Sequence, residues 1–135
     1  MAKGSRTQYK KERNKENRDV RPQAHAKYVR LADTKARIVL DQIKGKGIAE
    51  ARAILTYSPR FAAEVALKVL NSAVANAEHN LGMDEDNLFV QEVRANRGTS
   101  HYSRWRLNPR AKGRGNRTEI KFSHVSIILN EKTPK

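Results

Sequence analysis

The chain has 135 residues, and its 28 Lys and Arg outnumber its 14 Asp and Glu, which gives a formal net charge of +14. This length predicts one domain, and a hydrophobic content of 38% indicates that part of the chain stays outside its core. The absence of Cys excludes disulfides, thiolate metal sites and Cys nucleophiles. Apolar runs of at most three residues predict neither a membrane-spanning helix nor a secretory signal, which favours a soluble chain.

The positive charge is concentrated in two segments. Residues 1–22 carry eight basic and three acidic groups, a net +5; residues 23–93 carry nine of each; and residues 94–121 carry nine basic groups against one Glu, a net +8. Such runs repel themselves, and a polyanion relieves the repulsion. A membrane surface would require an amphipathic helix, whereas residues 94–121 are interrupted by Gly, Pro and Asn. Nucleic acid is therefore the favoured partner, ahead of an acidic membrane or solvation alone.

The N-terminal end, residues 1–22, is interpreted as a basic tail. Its first twenty residues have Ala2 and Val20 as their apolar aliphatic side chains, too few to offset the entropy of ordering. We therefore expect the tail to be disordered when the protein is alone. Residues 23–135 are expected to form the single domain.

Two short helices are predicted after an edge strand at residues 24–31. Asp33 or Thr34 is suited to cap the first helix, and Gly45 and Gly47 to end it. The second helix is predicted at about residues 48–56. Their apolar positions at helical spacing are Ala36, Val39, Leu40 and Ile43 in the first and Ile48, Ala51 and Leu55 in the second.

A third, longer helix is the clearest element of the pattern. Ser58 is predicted as its N-cap and Pro59 as its first residue, with an end near His79 or Asn80 before Gly82. Its apolar stripe comprises Ala62, Val65, Ala66, Val69, Leu70, Ala73 and Ala77. These alanines are interpreted as core positions.

Two strands with period-two alternation follow. In residues 88–95, Leu88 and Val90 are predicted to face one way and Phe89, Val93 and Ala95 the other. In residues 123–130, Val125, Ile127 and Leu129 alternate with His124, Ser126 and Ile128. The predicted fold is α+β: three helices packed on a small, three-stranded antiparallel sheet.

The segment between these strands, residues 96–122, is predicted to be a long protruding β-hairpin, here called the arm. A structureless loop of that length is unusual in a compact domain and is usually functional. Arg side chains bind phosphates and stack on bases, and aromatic side chains among them suit unpaired RNA. Trp105 lies between Arg104 and Arg106; folding back on the sheet is its alternative position.

Several motifs together resemble one known family. They are residues 71–80 (NSAVANAEHN), Lys35-Ala36-Arg37 with Gly45-Lys46-Gly47, Pro109-Arg110-Ala111 with Gly113-Arg114, and Ser123-His124-Val125. In this order, over about residues 24–130, they resemble the bacterial large-subunit ribosomal protein twenty-two family. The resemblance implies the fold just described and a cytoplasmic protein of the ribosome that binds large-subunit (23S-type) rRNA and supports subunit assembly.

Two features depart from the family pattern. Ala32-Asp33 stands where the family commonly has Ser-Pro, and the segment between Gly98 and Pro109 is about three residues longer than expected. Contacts of the arm's apex are therefore not transferred one by one.

The residues predicted to bind rRNA lie in the arm, beside it and in the tail. They are Arg94, Arg97, Arg104, Trp105, Arg106, Arg110, Lys112, Arg114, Arg117, Lys121, His124, Lys10, Lys11, Arg13, Arg18 and Arg21. The resemblance also implies that the hairpin tip lines the nascent-peptide exit tunnel, with His101, Tyr102, Ser103, Arg104, Trp105 and Arg106 predicted as that tip. The implied partners are rRNA, neighbouring large-subunit proteins and the nascent polypeptide, with no membrane, cofactor or metal.

Two other classes of function compete with this interpretation. An enzyme would have to use His25, His79, His101 or His124, but the sequence has no HExxH motif, no His pair at i, i+4 and no phosphate-binding GxxxxGK[ST] loop. The stronger alternative is a free-standing RNA-binding or DNA-architectural protein outside the ribosome, which would share the basic tail and arm.

Overall fold

The computed structural model describes residues 9–13, 20–99 and 105–132. The body consists of three strands and three helices: β1 (Gln23–Val29), α1 (Asp33–Ile43), α2 (Ile48–Tyr57), α3 (Phe61–Leu81), β2 (Leu88–Arg97) and β5 (Ser123–Glu131). The arm contains β3 (Arg106–Pro109) and β4 (Gly115–Thr118), and short 3₁₀ turns occupy Glu85–Asn87 and Ala111–Gly113. The α+β class predicted from the sequence is confirmed.

The main sheet is antiparallel, with the strand order β1-β5-β2. The central strand β5 pairs with both neighbours, and the expected edge strand forms as β1 at one edge but ends at Val29, two residues earlier than predicted. The helices cover one face of this sheet: α3 packs on β1 and β5, and α1 packs on β2. The loop between α1 and α2 covers the free edge of β2, where Gly45 N–H donates to Val90 O at 2.8 Å and Val90 N–H donates to Lys46 O at 2.9 Å.

A β-bulge in β2 changes the predicted alternation. Val90 pairs with Leu129, but the pairing shifts by one residue so that Val93 pairs with Ile127 and Ala95 with Val125. Because one extra residue reverses the side-chain parity of a strand, Val93 and Ala95 join Leu88 and Val90 on the core face. The prediction that they face the opposite way was wrong.

The two short helices form as predicted, except for one cap. Ala36, Val39, Leu40 and Ile43 of α1 and Ile48, Ala51 and Leu55 of α2 are all buried. Ala32 is the N-cap of α1 and provides no side-chain hydrogen bond, so Asp33 lies in the first turn instead of capping it. Asp33 there still places a negative charge at the positive end of the helix dipole.

The long helix α3 begins later than predicted. Its N-cap is Arg60, while Ser58 is the C-cap of α2 in an extended conformation, as expected for a residue before proline. Gly82 ends the helix with φ of 65°, and its N–H donates to Glu78 O at 3.0 Å. Every predicted stripe residue is buried except Val65, which is half-buried.

The hydrophobic core is formed by the helices and the inner face of the sheet. Its largest fully buried side chains include Leu40, Ile43, Leu70, Leu88 and Ile127. No buried hydrophobic residue comes from the described part of residues 96–122. Within the predicted tail, residues 9–13 are helical, and every one of their side chains is exposed.

Candidate nucleic-acid interface

The arm continues the ladder of β2 and β5 away from the body. Arg97 pairs with Ser123 at the end of the main sheet, and Gly98 N–H donates to Phe122 O at 2.7 Å. A Cβ atom on Gly98 would lie 3.1 Å from that carbonyl oxygen, so the close approach of the two chains favours glycine. The predicted hairpin arm therefore begins directly at the edge of the packed body.

The outer part of the arm is a separate two-stranded ladder. In it, Leu107 pairs with Arg117 and Pro109 pairs with Gly115. The turn is closed by Arg110 N–H donating to Arg114 O at 2.6 Å. Lys112 and Gly113 have φ of 59° and 69°, so two successive residues adopt the left-handed conformation that reverses the chain.

This register places the turn at residues 110–114. Of the tip predicted at residues 101–106, His101, Tyr102, Ser103 and Arg104 lie outside the described residues. Trp105 and Arg106 lie at the end of the β3–β4 ladder away from the turn, because Arg106 pairs with Thr118. The sequence does contain signals of a tight turn here, namely Pro109, Gly113 and Gly115. The prediction of the tip did not use them.

The cations of the arm are exposed and largely without carboxylate partners. Residues 105–119 are all exposed. Arg97 forms an ion pair with Glu119 at 2.8 Å, but within the described residues no ion pair is formed by Arg106, Arg110, Lys112 or Arg114. Three cations in one turn and Arg106 at the far end of the same ladder, all held apart from any core, form a surface that attracts a polyanion.

Trp105 stacks on a cation of the arm itself. The Arg117 guanidinium carbon lies 4.7 Å from the Trp105 ring centroid, which is a cation–π geometry. The Trp105 side chain is 54% exposed, and Leu107, two residues along the same strand face, is 57% exposed. Trp105 thus has not folded back on the sheet, and one face of the arm combines aromatic, aliphatic and guanidinium groups.

The outer face of the main sheet holds a second group of polar side chains. Tyr28 N–H donates to His124 Nδ1 at 3.0 Å, and the two rings meet edge to face at 4.7 Å between centroids. His25 Nδ1 lies 2.8 Å from Ser126 Oγ. Tyr28 has φ of 57°, uncommon for a residue with a side chain, at the irregular end of β1. Sequence reasoning identified His124 but missed Tyr28, because nothing in the alternation reveals a left-handed residue in a strand.

Arg94 lies on the same outer face and pairs within the sheet. Its Nε donates to Glu92 Oε1 at 2.6 Å. This hydrogen bond and the Arg94 charge hold the pKa of Glu92 below its ordinary value. An external anion that binds Arg94 therefore has to compete with the Glu92 carboxylate for its guanidinium group.

The remaining predicted residues are more scattered. Lys121 is exposed between β4 and β5, and Lys10, Lys11 and Arg13 are exposed on the short N-terminal helix; Arg18 lies outside the described residues. Arg21 donates to Gln91 Oε1 at 2.9 Å, beside the bulge of β2. Within the described ranges there is no group of three or more possible metal ligands, and no helix long and apolar enough to cross a membrane.

The three-helix body, its small antiparallel sheet and the basic hairpin arm define a small α+β protein in which a globular body bears a cationic extension. The comparisons with known proteins agree: the chain belongs to the family of ribosomal protein L22p/L17e, which it matches over residues 24–130. It is 47% identical to the large ribosomal subunit protein uL22 of Lachnospira eligens over 132 residues, which cover 98% of this chain and 100% of that one. The proteins of the same name from Agathobacter rectalis and Lachnoclostridium phytofermentans are 47% and 45% identical, with the same coverage. The family is one of ribosomal components, so the chain is not an enzyme.

Proposed function

We propose that this chain binds large-subunit (23S-type) rRNA as a structural constituent of the large ribosomal subunit, supports its assembly, and lines the nascent-peptide exit tunnel with its arm. Its partners are rRNA, neighbouring large-subunit proteins and the nascent polypeptide, in the cytoplasmic ribosome. Family membership supports the placement in the large subunit.

The arm carries the RNA-binding part of this proposal. Its turn presents Arg110, Lys112 and Arg114 with no core beneath them. Such a segment has little to gain from folding alone, and RNA supplies the counter-charge that it lacks. The Trp105–Arg117 pair adds planar surface of the kind on which unpaired bases stack.

The reach of the arm supports the tunnel part. The arm is closed by the pairs Gly98–Phe122 at its root and Arg110–Arg114 at its turn. On its shorter side, Arg114 and Phe122 are eight residues apart in the sequence, and an extended chain of that length spans at most about 27 Å. A narrow, two-stranded arm of this reach fits between RNA segments that a globular body would only touch from outside. Its turn is then the part that meets the tunnel.

Sedimentation of a cell lysate tests the subunit assignment. A tagged copy of the chain should migrate with the large subunit through a high-salt wash. A protein that stays at the top of the gradient would instead be the alternative, a free-standing RNA-binding or DNA-architectural protein.

A charge-neutralised arm tests the RNA contact itself. Arg110, Lys112 and Arg114 are replaced together by Gln, and the matched control replaces three exposed body lysines, Lys44, Lys68 and Lys132. The arm variant should be released from the particle at lower salt than the control, because each phosphate contact adds to the salt dependence. Equal release of the two variants would contradict the role given to the turn.

A further inference from the structure

A groove on the body lies outside every residue predicted to bind RNA. It is formed by the loop after β1, the first turns of α1 and the start of α3, and has a volume of about 640 Å³. Its lining includes three apolar side chains, Leu31, Ile38 and Phe61, and three cations, Arg30, Lys35 and Arg60. The volume lies within the range of sites that hold small organic groups.

The apolar part of the groove is open to solvent. Ile38 is 53% exposed and Phe61 is 59% exposed, and neither belongs to the hydrophobic core. An exposed aromatic ring beside an exposed aliphatic side chain suits a flat, partly apolar group such as a nucleobase.

The charged rim of the groove has one sign. No carboxylate lines it, and in the described part of the chain no ion pair involves Arg30, Lys35 or Arg60. Elsewhere on the body, Arg52 pairs with Glu85 at 2.7 Å. The groove cations therefore retain their capacity for an external anion.

The fold places this groove at the end of the body from which the arm leaves. Val29, the last residue of β1, pairs with Ser123, which also pairs with Arg97 at the arm's root. The acidic turn, Asp84 to Asp86, precedes the opposite end of β2. Residues 23–93 have a net charge of zero. Their charges are nevertheless separated in space: the cationic groove lies at the end of the body that bears the arm, and the acidic turn lies at the opposite end.

We propose that this groove binds a nucleotide of single-stranded RNA, with the base against Phe61 and Ile38 and its flanking phosphates on Arg30, Lys35 and Arg60. An acidic amphipathic helix is also a polyanion, but it would need a longer groove with anchors at i, i+3, i+4 and i+7. A short apolar floor ringed by cations matches one base and its phosphates instead. The inference rests on the proposed function for its RNA partner and adds a second contact surface.

The test uses the full-length chain carrying the Gln-substituted turn, so that the arm contributes less to binding. The probe is a single-stranded oligouridine of roughly 10 nucleotides with one photoreactive thiouridine, and affinity is measured by fluorescence anisotropy over a salt series. Phe61→Ala tests the floor, with Tyr57→Ala as control, since Tyr57 is an exposed aromatic outside the groove. The double variant Lys35→Gln, Arg60→Gln tests the rim, with Lys68→Gln as control.

Phe61→Ala should weaken oligouridine binding at least about fivefold, the loss of one stacking contact. The rim variant should lower the slope of log K against log salt by about 1.4, or about 0.7 for each phosphate contact with a single strand. The photo-cross-link should map to Phe61 or Ile38. All these substitutions are at exposed positions, and circular dichroism checks that each variant is folded.

The groove proposal is overturned if both groove variants bind oligouridine as their controls do, or if the cross-links map to the arm and tail alone. Preferential binding of an oligoglutamate peptide at the groove would also overturn it, in favour of an acidic protein partner. Failure of the proposed function would appear as loss of co-sedimentation with the large subunit. That result does not depend on the affinity for oligouridine, so the two failures can be told apart.

Discussion

Removing the arm should leave the body folded and should raise its stability. The perturbation replaces residues 99–121 with Asn-Gly, a pair suited to a tight hairpin turn between Gly98 and Phe122, which already share a hydrogen bond of 2.7 Å. Shortening the connection from 23 residues to about two lowers the entropy of closing it by about 2 kcal/mol at 25 °C. The replacement also removes seven basic groups and one acidic group, which lowers repulsion within the protein. None of the buried hydrophobic residues of the described core is lost.

Urea unfolding followed by far-ultraviolet circular dichroism measures the effect. At a slope of about 2 kcal/mol/M, the midpoint should rise by about 1 M. A flexible Gly-Ser segment of the same length as the deleted one is the matched control: it keeps the closure entropy, so its midpoint should stay closer to that of the parent chain. A cooperative transition that disappears, or a midpoint that falls on deleting the arm, would refute the division between body and arm.

Three further substitutions test particular contacts. Ala73→Leu should destabilise the body by about 1–3 kcal/mol through overpacking, because Ala73 is fully buried in α3. The control Ala75→Leu, on the exposed side of the same helix, should be near neutral in thermal unfolding. Equal effects of the two substitutions would contradict the orientation of the helix. Gly82→Ala should cost about 1 kcal/mol because Gly82 is left-handed, and an unchanged melting temperature would argue against that cap. Arg94→Gln should raise the pKa of Glu92 in an NMR titration, since Arg94 holds it low. The lowered pKa means that this contact stabilises the fold above the unfolded-state pKa of Glu92 and is lost as the pH falls; an unshifted titration would show that the pair does not persist in solution.

The helices were predictable because their signal is local and repeated. In α3 the spacing of Ala62, Ala66, Leu70, Ala73 and Ala77 follows one face of a helix, and all five are buried. Tertiary packing then uses the face that the sequence already defines.

Helix starts were less predictable, since several nearby residues have the chemistry of a cap. Ser58 has the right side chain for an N-cap, but it precedes a proline and ends α2, and the chain needs Arg60 in an extended conformation before α3 begins. Ala32 similarly stands at the N-cap of α1 without any capping side chain. Cap preferences are worth about 1 kcal/mol, which the packing of a whole helix readily overrides.

The bulge and the groove depend on features that a linear pattern does not contain. The extra residue in β2 is visible only in its pairing with β5, where Val93 meets Ile127. The groove brings Arg30 and Lys35 close to Arg60, although Arg60 is distant from both in the sequence. The net charge of residues 23–93 does not reveal these cations, because acidic residues located elsewhere on the body cancel them in the sum.

The position of Trp105 makes the arm spectroscopically separate from the body. It is the single tryptophan of the chain, it is half-exposed, and Arg117 lies against its ring. Tryptophan emission therefore comes from the arm alone, while the far-ultraviolet signal of the helices reports on the body. Insertion of the arm into an RNA particle can thus be followed by emission and quenching in the unmodified protein, without an attached label.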